Sequence, residues 1–312
     1  MKRRERAIIL LKPQFLGDAV MACPLIDAAV AAYEHVTVSC GPIVRQVLDD
    51  RADRVHFLEG GKISGVAPVL RTARQLRNQD FHVAFIVNRS FRSALAVRLA
   101  GIPIRVGHST EGRGFLLTHR VRYDALRPES ECQLDLIANL GLPRVDPRPS
   151  LSVHPGEVEA IGALIKGIQI GVQPGARYPE KQIPLPVLAE IVNRLVASGH
   201  SVALFGGPDE EPYVDRFQSL LQSSLPSFVG KLAIRESMAA MARLNLMIGS
   251  DTGLMHLAAA VGCPTVTVFG PNPAQKWGHN HPPHQVLEAP RGSMVRLTAD
   301  DLWPSIQASL GS

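Results

Sequence analysis

Ile248-Gly249-Ser250-Asp251-Thr252-Gly253-Leu254-Met255-His256-Leu257-Ala258-Ala259-Ala260 runs from the end of an apolar strand, through a tight polar turn, into a helix of small residues. Asp251 and Thr252 stand where N-cap residues belong, and Gly253 lets the backbone approach a ligand closely. The unpaired N–H groups at such a helix start, with the positive end of its dipole, make an anion site. His256, three residues past Gly253, faces the same mouth one turn on. Gly262-Cys263-Pro264-Thr265-Val266-Thr267-Val268-Phe269-Gly270-Pro271 follows as a second strand ending in a second glycine turn. Strand, phosphate-ready helix and strand imply a nucleotide-type ligand at the carboxyl edge of a parallel sheet. Asp-Thr-Gly is also the aspartic-protease triplet. That chemistry needs two such loops sharing a proton in an all-β fold, whereas here the triplet is single and opens a helix.

Outward from this stretch the same alternation continues in both directions. Toward the amino terminus the pattern gives strands at 7–11, 36–40, 55–58, 83–87 and 104–107. Helical patterns at 18–32, 42–49, 66–77, 90–100 and 131–140 lie between or after them, with Pro24 marking a break or a first turn. Gly141–Pro155 carries four prolines and reads as a linker. A second series then places strands at 168–173, 201–205, 246–248 and 265–269 among helices at 186–197, 211–221, 234–243 and 253–261. Strands alternating with helices imply parallel sheets with right-handed crossovers. The fold expected is therefore α/β, with two Rossmann-like domains facing across a cleft. The first spans residues 1–150 and the second 151–295, while 296–312 forms a terminal helix expected to pack back on the first domain.

With 312 residues, 46% hydrophobic, the chain is long enough for two ordinary domains. No run of 18 uncharged apolar residues exists, which excludes an ordinary membrane span. The basic start Met1-Lys2-Arg3-Arg4-Glu5-Arg6 precedes only a five-residue apolar run, too short for a signal peptide. A cytoplasmic protein is expected. Cys23, Cys40, Cys132 and Cys263 are scattered and read as reduced, mostly buried thiols. Gly278-His279-Asn280-His281-Pro282-Pro283-His284 has no carboxylate partner and reads as a solvated loop rather than a metal site. Charge is uneven: residues 1–150 hold 22 Lys and Arg against 15 Asp and Glu, and residues 151–312 hold 11 against 13. The basic half implies an anionic partner, a glycolipid or an anionic membrane face, and the scarcity of aromatics argues against nucleic acid. Arg89, Arg92, Arg105, Arg113, Arg120 and Arg122 are its candidate contacts.

Three further loops carry polar groups at strand ends. In Lys12-Pro13-Gln14-Phe15-Leu16-Gly17-Asp18-Ala19-Val20, Asp18 is either a carboxylate satisfying a helix dipole or a general base. Gln173-Pro174-Gly175-Ala176-Arg177-Tyr178-Pro179-Glu180-Lys181 lacks a dinucleotide or P-loop signature. Arg177 and Lys181 there are cations for a phosphate or plain surface charges. Leu204-Phe205-Gly206-Gly207-Pro208-Asp209-Glu210-Glu211 puts acids after a strand, where they accept ribose hydroxyls or serve a helix dipole.

Taken in order, these loops resemble glycosyltransferase family 9, the ADP-heptose:lipopolysaccharide heptosyltransferases. Lys12…Leu16-Gly17-Asp18-Ala19-Val20…Pro24-Leu25 is similar to its amino-terminal signature. Pro174-Gly175-Ala176…Lys181…Pro184 is similar to its donor-phosphate loop. Val229-Gly230-Lys231 through Asp251-Thr252-Gly253-Leu254-Met255-His256 to Phe269-Gly270-Pro271 is the most specific match, within a likeness spanning about residues 7–278. The resemblance implies a GT-B fold, an acceptor-binding first domain and a second domain for the nucleotide sugar. It implies Asp18 as catalytic base and Lys181 on donor phosphate and sugar. It implies Glu210 on ribose, Leu232 near adenine and Asp251 on sugar hydroxyls. Gly175, Ala176, Arg177, Thr252, Gly253, Leu254 and His256 surround the phosphates. The activity implied is inverting, metal-independent heptosyl transfer from an ADP-sugar co-substrate to a cell-surface glycan such as the lipopolysaccharide inner core. No cofactor is expected, and the enzyme is placed in the cytoplasm with peripheral contact at the inner membrane. Arg89, Arg92, Arg113 and Arg120 are its implied acceptor contacts. Two departures stand out. Pro13-Gln14-Phe15 replaces small or hydroxylated residues on the acceptor side, and Lys181-Gln182-Ile183-Pro184 lacks the usual aromatic. Another nucleotide sugar, a non-lipid acceptor, a non-catalytic binding relative and an epimerase of like plan are the alternatives.

Overall fold

The computed structural model describes residues 3–311, and the chain divides between Pro149 and Ser150 into two compact units. In the first, β1 (Arg3–Leu10), β2 (Tyr33–Cys40), β3 (His56–Glu59), β4 (Val83–Ile86), β5 (Ile104–His108) and β6 (His119–Val121) form one parallel sheet ordered β3-β2-β1-β4-β5-β6. In the second, β7 (Ile170–Val172), β8 (Val202–Leu204), β9 (Leu246–Ser250), β10 (Thr265–Phe269) and β11 (Gln285–Glu288) form another, ordered β11-β10-β9-β7-β8.

Central strands of a parallel sheet are covered on both faces, so they run nearly continuously apolar. β4, β9 and β10 are buried from end to end, whereas the edge strands β3 and β11 are only half-buried. β6 and β11 fall outside the sequence pattern for this reason: His119-Arg120-Val121 and Gln285-Val286-Leu287-Glu288 are edge segments with no apolar run. The predicted helix 18–32 is two, Leu16–Met21 and Cys23–Ala32, because Pro24 lacks an amide N–H and is favoured in the first turn of a helix. The four cysteines are free and buried.

Each unit has its own core. In the first, Ile8, Leu10, Phe81, Ala84 and Ile86 pack with Ala94 and Val97 of helix Phe91–Leu99. In the second, Leu188, Ile191 and Leu195 of helix Leu185–Ala197 pack on Ile170, Ile248 and Val266. The terminal helix Ala299–Leu310, expected on the first domain, belongs to the second unit. Its apolar positions Leu302 and Ile306 are fully enclosed in that unit's core beside Leu188 and Val268, so the stripe is used where the chain emerges.

Candidate active site

In each sheet the chain winds one way from a central strand and then returns to the other side. The loops leaving the two strands at that point diverge and open a crevice at the carboxyl edge. In the second unit those strands are β7 and β9, and their loops hold Gly175 to Lys181 and Asp251 to Gly253.

The β9 loop is built as its sequence implies. Thr252 is extended, caps helix Gly253–Ala260, and accepts from the Met255 amide at 3.4 Å. The first-turn amides of Gly253 and Leu254 point out of the helix start. Gly249 is required beneath them: a Cβ there would lie 2.9 Å from Met255 Sδ and 3.1 Å from Gln173 Cβ, too close for strand and helix to pack.

Lys181, Asp251 and His256 come together. Lys181 Nζ donates to Asp251 Oδ2 at 2.7 Å, and Asn272 Nδ2 donates to the same oxygen at 2.7 Å. His256 Nε2 lies 3.4 Å from Oδ1. The Asp251 side chain is only 4% exposed. Burial opposes its ionisation, but the hydrogen bond and charge of His256, then of Lys181, hold the carboxyl well below the ordinary range. A fixed carboxylate thus lies beside a lysine and a phosphate-ready helix start.

A second network links three strand ends. Thr252 Oγ1 donates to Gln173 Oε1 at 2.6 Å, and Gln173 Nε2 donates to Glu210 Oε1 at 2.7 Å. Glu210 also accepts from the amides of Gly207 (3.4 Å) and Gly175 (3.2 Å). Gly175 and Gly206 make room for it, since a Cβ on either would lie 2.9 Å from the Glu210 side chain. Burial pushes Glu210 up to about 7 despite hydrogen bonds from Gln173, Gly207 and Gly175. Leu232 is half-buried next to the β8 end, tied there by the Gly230 amide bonded to Gly206 O at 3.1 Å. Ala176 is buried, and Arg177 is exposed outside both networks. A cavity of about 480 Å³ opens along the same loop between Pro179, Gln182, Tyr213, Pro271 and Met294. None of the groups converging on Asp251 line it, so the helix start remains the better anion site.

In the first unit the switch point lies between β1 and β4. Asp18, in the first turn of helix Leu16–Met21, accepts from Lys12 Nζ at 2.8 Å, and that ammonium lies 5.3 Å from the Phe15 ring centre. Arg89 follows β4 and stacks over Tyr123 at 4.2 Å. Arg92, Arg120 and Arg122 are exposed. Arg113 is a correction to the acceptor set: its side chain is wholly enclosed and donates to the carbonyls of His108, Asn88, Ser90 and Ile86. Its guanidinium ties the ends of β4 and β5 together, and burial lowers it to about 10. Arg105 likewise spends its guanidinium on the carbonyls of Leu116, Ile102 and Pro103.

The histidine loop is a second correction. Asn280, Pro282 and Pro283 are exposed, but His279 and His284 are buried, and the His279, His281 and His284 rings pack edge to face. Among the described residues no three His, Cys, Asp or Glu side chains converge to hold a metal. Gln173, Asn272 and His279 were given no role by sequence reasoning. Only the placement of Gln173 at a strand end and of Asn272 just past the Gly270 turn could have signalled the first two.

One sheet edge gathers a lysine–aspartate pair at an anion-ready helix start, and the other offers a carboxylate at a helix opening. The sequence pattern of glycosyltransferase family 9 (heptosyltransferase) matches residues 69–301, and the chain belongs to that family. It is 24% identical to lipooligosaccharide heptosyltransferase 2 of Haemophilus influenzae, across 94% of this chain and 92% of that one. It is 25% identical to lipopolysaccharide heptosyltransferase 2 of Escherichia coli, across 85% and 83%. The solved structure of E. coli ADP-heptose lps heptosyltransferase II shares its fold, with a TM-score of 0.83 at 23% identity over 98% of both chains.

Proposed function

We propose that the chain transfers a heptose from ADP-heptose to a lipopolysaccharide inner-core acceptor, with inversion and without a metal. The observation that carries this reading is the Lys181–Asp251 pair set at the start of helix Gly253–Ala260, within a family whose relatives are named for heptosyl transfer. Lys181, His256 and the amides of Gly253 and Leu254 neutralise the diphosphate as its bond to the sugar breaks. Cations and helix dipole thereby supply what a metal supplies elsewhere. Asp251 offers the remaining lone pair of Oδ1 to a sugar hydroxyl. Leu232 lies against adenine, and Glu210 offers the remaining lone pair of Oε2 to a ribose hydroxyl. Gly175 and Ala176 let the backbone come close to the phosphates, with Arg177 at the rim.

Asp18 takes the proton of the acceptor hydroxyl as that oxygen attacks the sugar from the face opposite the leaving group. Arg89, Arg92 and Arg120 meet the acceptor's anionic groups. The basic first unit draws the enzyme to the inner membrane face from the cytoplasm. Among the described residues no helix is long and apolar enough to cross a membrane. The test is incubation with ADP-heptose and purified inner-core oligosaccharides, following ADP release and the anomeric configuration of the product by NMR. Acceptor-dependent ADP release with inversion, unchanged by chelator, is expected. Retention, or loss of turnover with chelator, would overturn the mechanism.

A further inference from the structure

His256 has a second partner. Its Nδ1 lies 3.3 Å from His279 Nε2, with the ring centres 5.4 Å apart. His279 is buried and held from behind: His284 lies 5.6 Å away, and its Nδ1 is 3.2 Å from Thr265 Oγ1 on β10. The loop is anchored by the Gly278 amide bonded to Ala274 O at 2.7 Å and by Asn280 Nδ2 bonded to the same oxygen at 3.2 Å. A chain of polar contacts therefore runs from Asn272 and Lys181 through Asp251 and His256 to His279.

We propose that His279 is a positioning residue for the donor site: bonded to Nδ1 of His256, it fixes the proton on His256 Nε2 and aims that N–H at Asp251 Oδ1. The argument follows from the imidazole inventory. Burial, with the neighbouring His256, His284 and His281, holds His279 well below the ordinary histidine range, so it is neutral. When its own Nε2–H donates, His256 Nδ1 is an acceptor and the His256 proton must sit on Nε2. When His256 Nδ1–H donates instead, a bare Nε2 would turn its lone pair on an ionised carboxylate, so Nε2 is protonated there too. Each arrangement presents Nε2–H to Asp251. Without a partner at Nδ1, the tautomer with a bare Nε2 and a rotated ring becomes available. Partners of this kind set ligand orientation in other polar sites as well.

This inference rests on the donor-site reading, and two measurements keep them separate. ADP affinity of the full-length protein is measured by calorimetry, and the ring 15N shifts of His256 by NMR, in wild type, His279→Leu and His279→Gln. Leu fills the space without a polar atom, whereas the Gln amide restores an N–H donor. The expected result is about tenfold weaker ADP binding in H279L, binding within about twofold of wild type in H279Q, and His256 ring shifts that move only in H279L. Thermal midpoints show whether each variant is folded, and H279F, which keeps a ring in the stack, replaces H279L should that variant unfold. Wild-type ADP binding and unchanged His256 shifts in H279L would overturn the proposal, as would a folded H279Q as defective as H279L. If wild type binds no ADP, the donor-site reading fails. The 15N shifts then decide the role of His279 alone, supporting it if they move in H279L and overturning it if they do not.

Discussion

Each unit carries a lysine–aspartate pair at its sheet switch point, and the two pairs have nearly the same length: Lys12–Asp18 at 2.8 Å and Lys181–Asp251 at 2.7 Å. Their surroundings differ. Lys12 and Asp18 are 34% and 17% exposed, against 19% and 4% for Lys181 and Asp251. Asp18 takes one side-chain donor on Oδ1, while Asp251 takes Lys181 and Asn272 on Oδ2 and faces His256 with Oδ1. A carboxylate with uncommitted lone pairs and access to water can accept a proton. One whose oxygens are already engaged is an anchor, fixed in charge and direction. Distance alone does not separate the two roles; the number of committed lone pairs does.

The sharpest way to break this distinction is Asp18→Asn, which keeps the shape and removes the basicity. Turnover is expected to fall about a thousandfold, within the range for a lost general base, while calorimetry shows ADP affinity unchanged. A D18N enzyme within tenfold of wild-type turnover would place the base elsewhere. The lysines give the next test. Lys181→Met leaves a buried carboxylate without its cation, a change that costs several kcal/mol where no other group responds. ADP affinity is expected to fall about a hundredfold and the thermal midpoint to drop. Lys12→Met, at a more exposed pair of smaller net worth, should leave both nearly unchanged. Equal losses in the two variants would erase the difference between the sites.

Much of this contrast is legible in the sequence itself. The buried strands β9 and β10, their glycine turns and the Thr252 cap are local features, and local chemistry dictates them. Asp18, Lys181, Asp251 and His256 were visible because each lies on the loop or first helical turn that follows a strand. What stayed hidden is pairing across sequence. Gln173 joins Thr252 to Glu210, 37 residues away from the latter. Arg113 looked like its surface neighbours Arg92 and Arg120, but it closes the ends of β4 and β5 from inside. A residue's type does not say whether its fork meets solvent or four carbonyls. The histidine loop misled for the same reason, since two prolines argue for a turn but not against burial.

A pH-dependent contrast lies within the second site, where two buried carboxylates titrate in opposite directions. Asp251 is held low because His256 and Lys181 outweigh its burial. Glu210 has no cation beside it, only neutral donors, so burial wins and raises it from 4.5 to about 7. Between those values the folded chain retains a proton that the unfolded chain has released. The stabilising contribution of Glu210 is therefore complete below about pH 4.5 and is lost as pH climbs to about 7. Two to three pH units of such linkage correspond to roughly 3–4 kcal/mol. Urea unfolding of the wild type should show that loss between pH 5 and pH 8, and Glu210→Gln, which cannot ionise, should flatten the dependence by about that amount. Parallel wild-type and E210Q pH profiles would mean that Glu210 is charged in the folded protein throughout. The neutral donors of Gln173, Gly175 and Gly207 would then hold a carboxylate as well as the cations at Asp251 do.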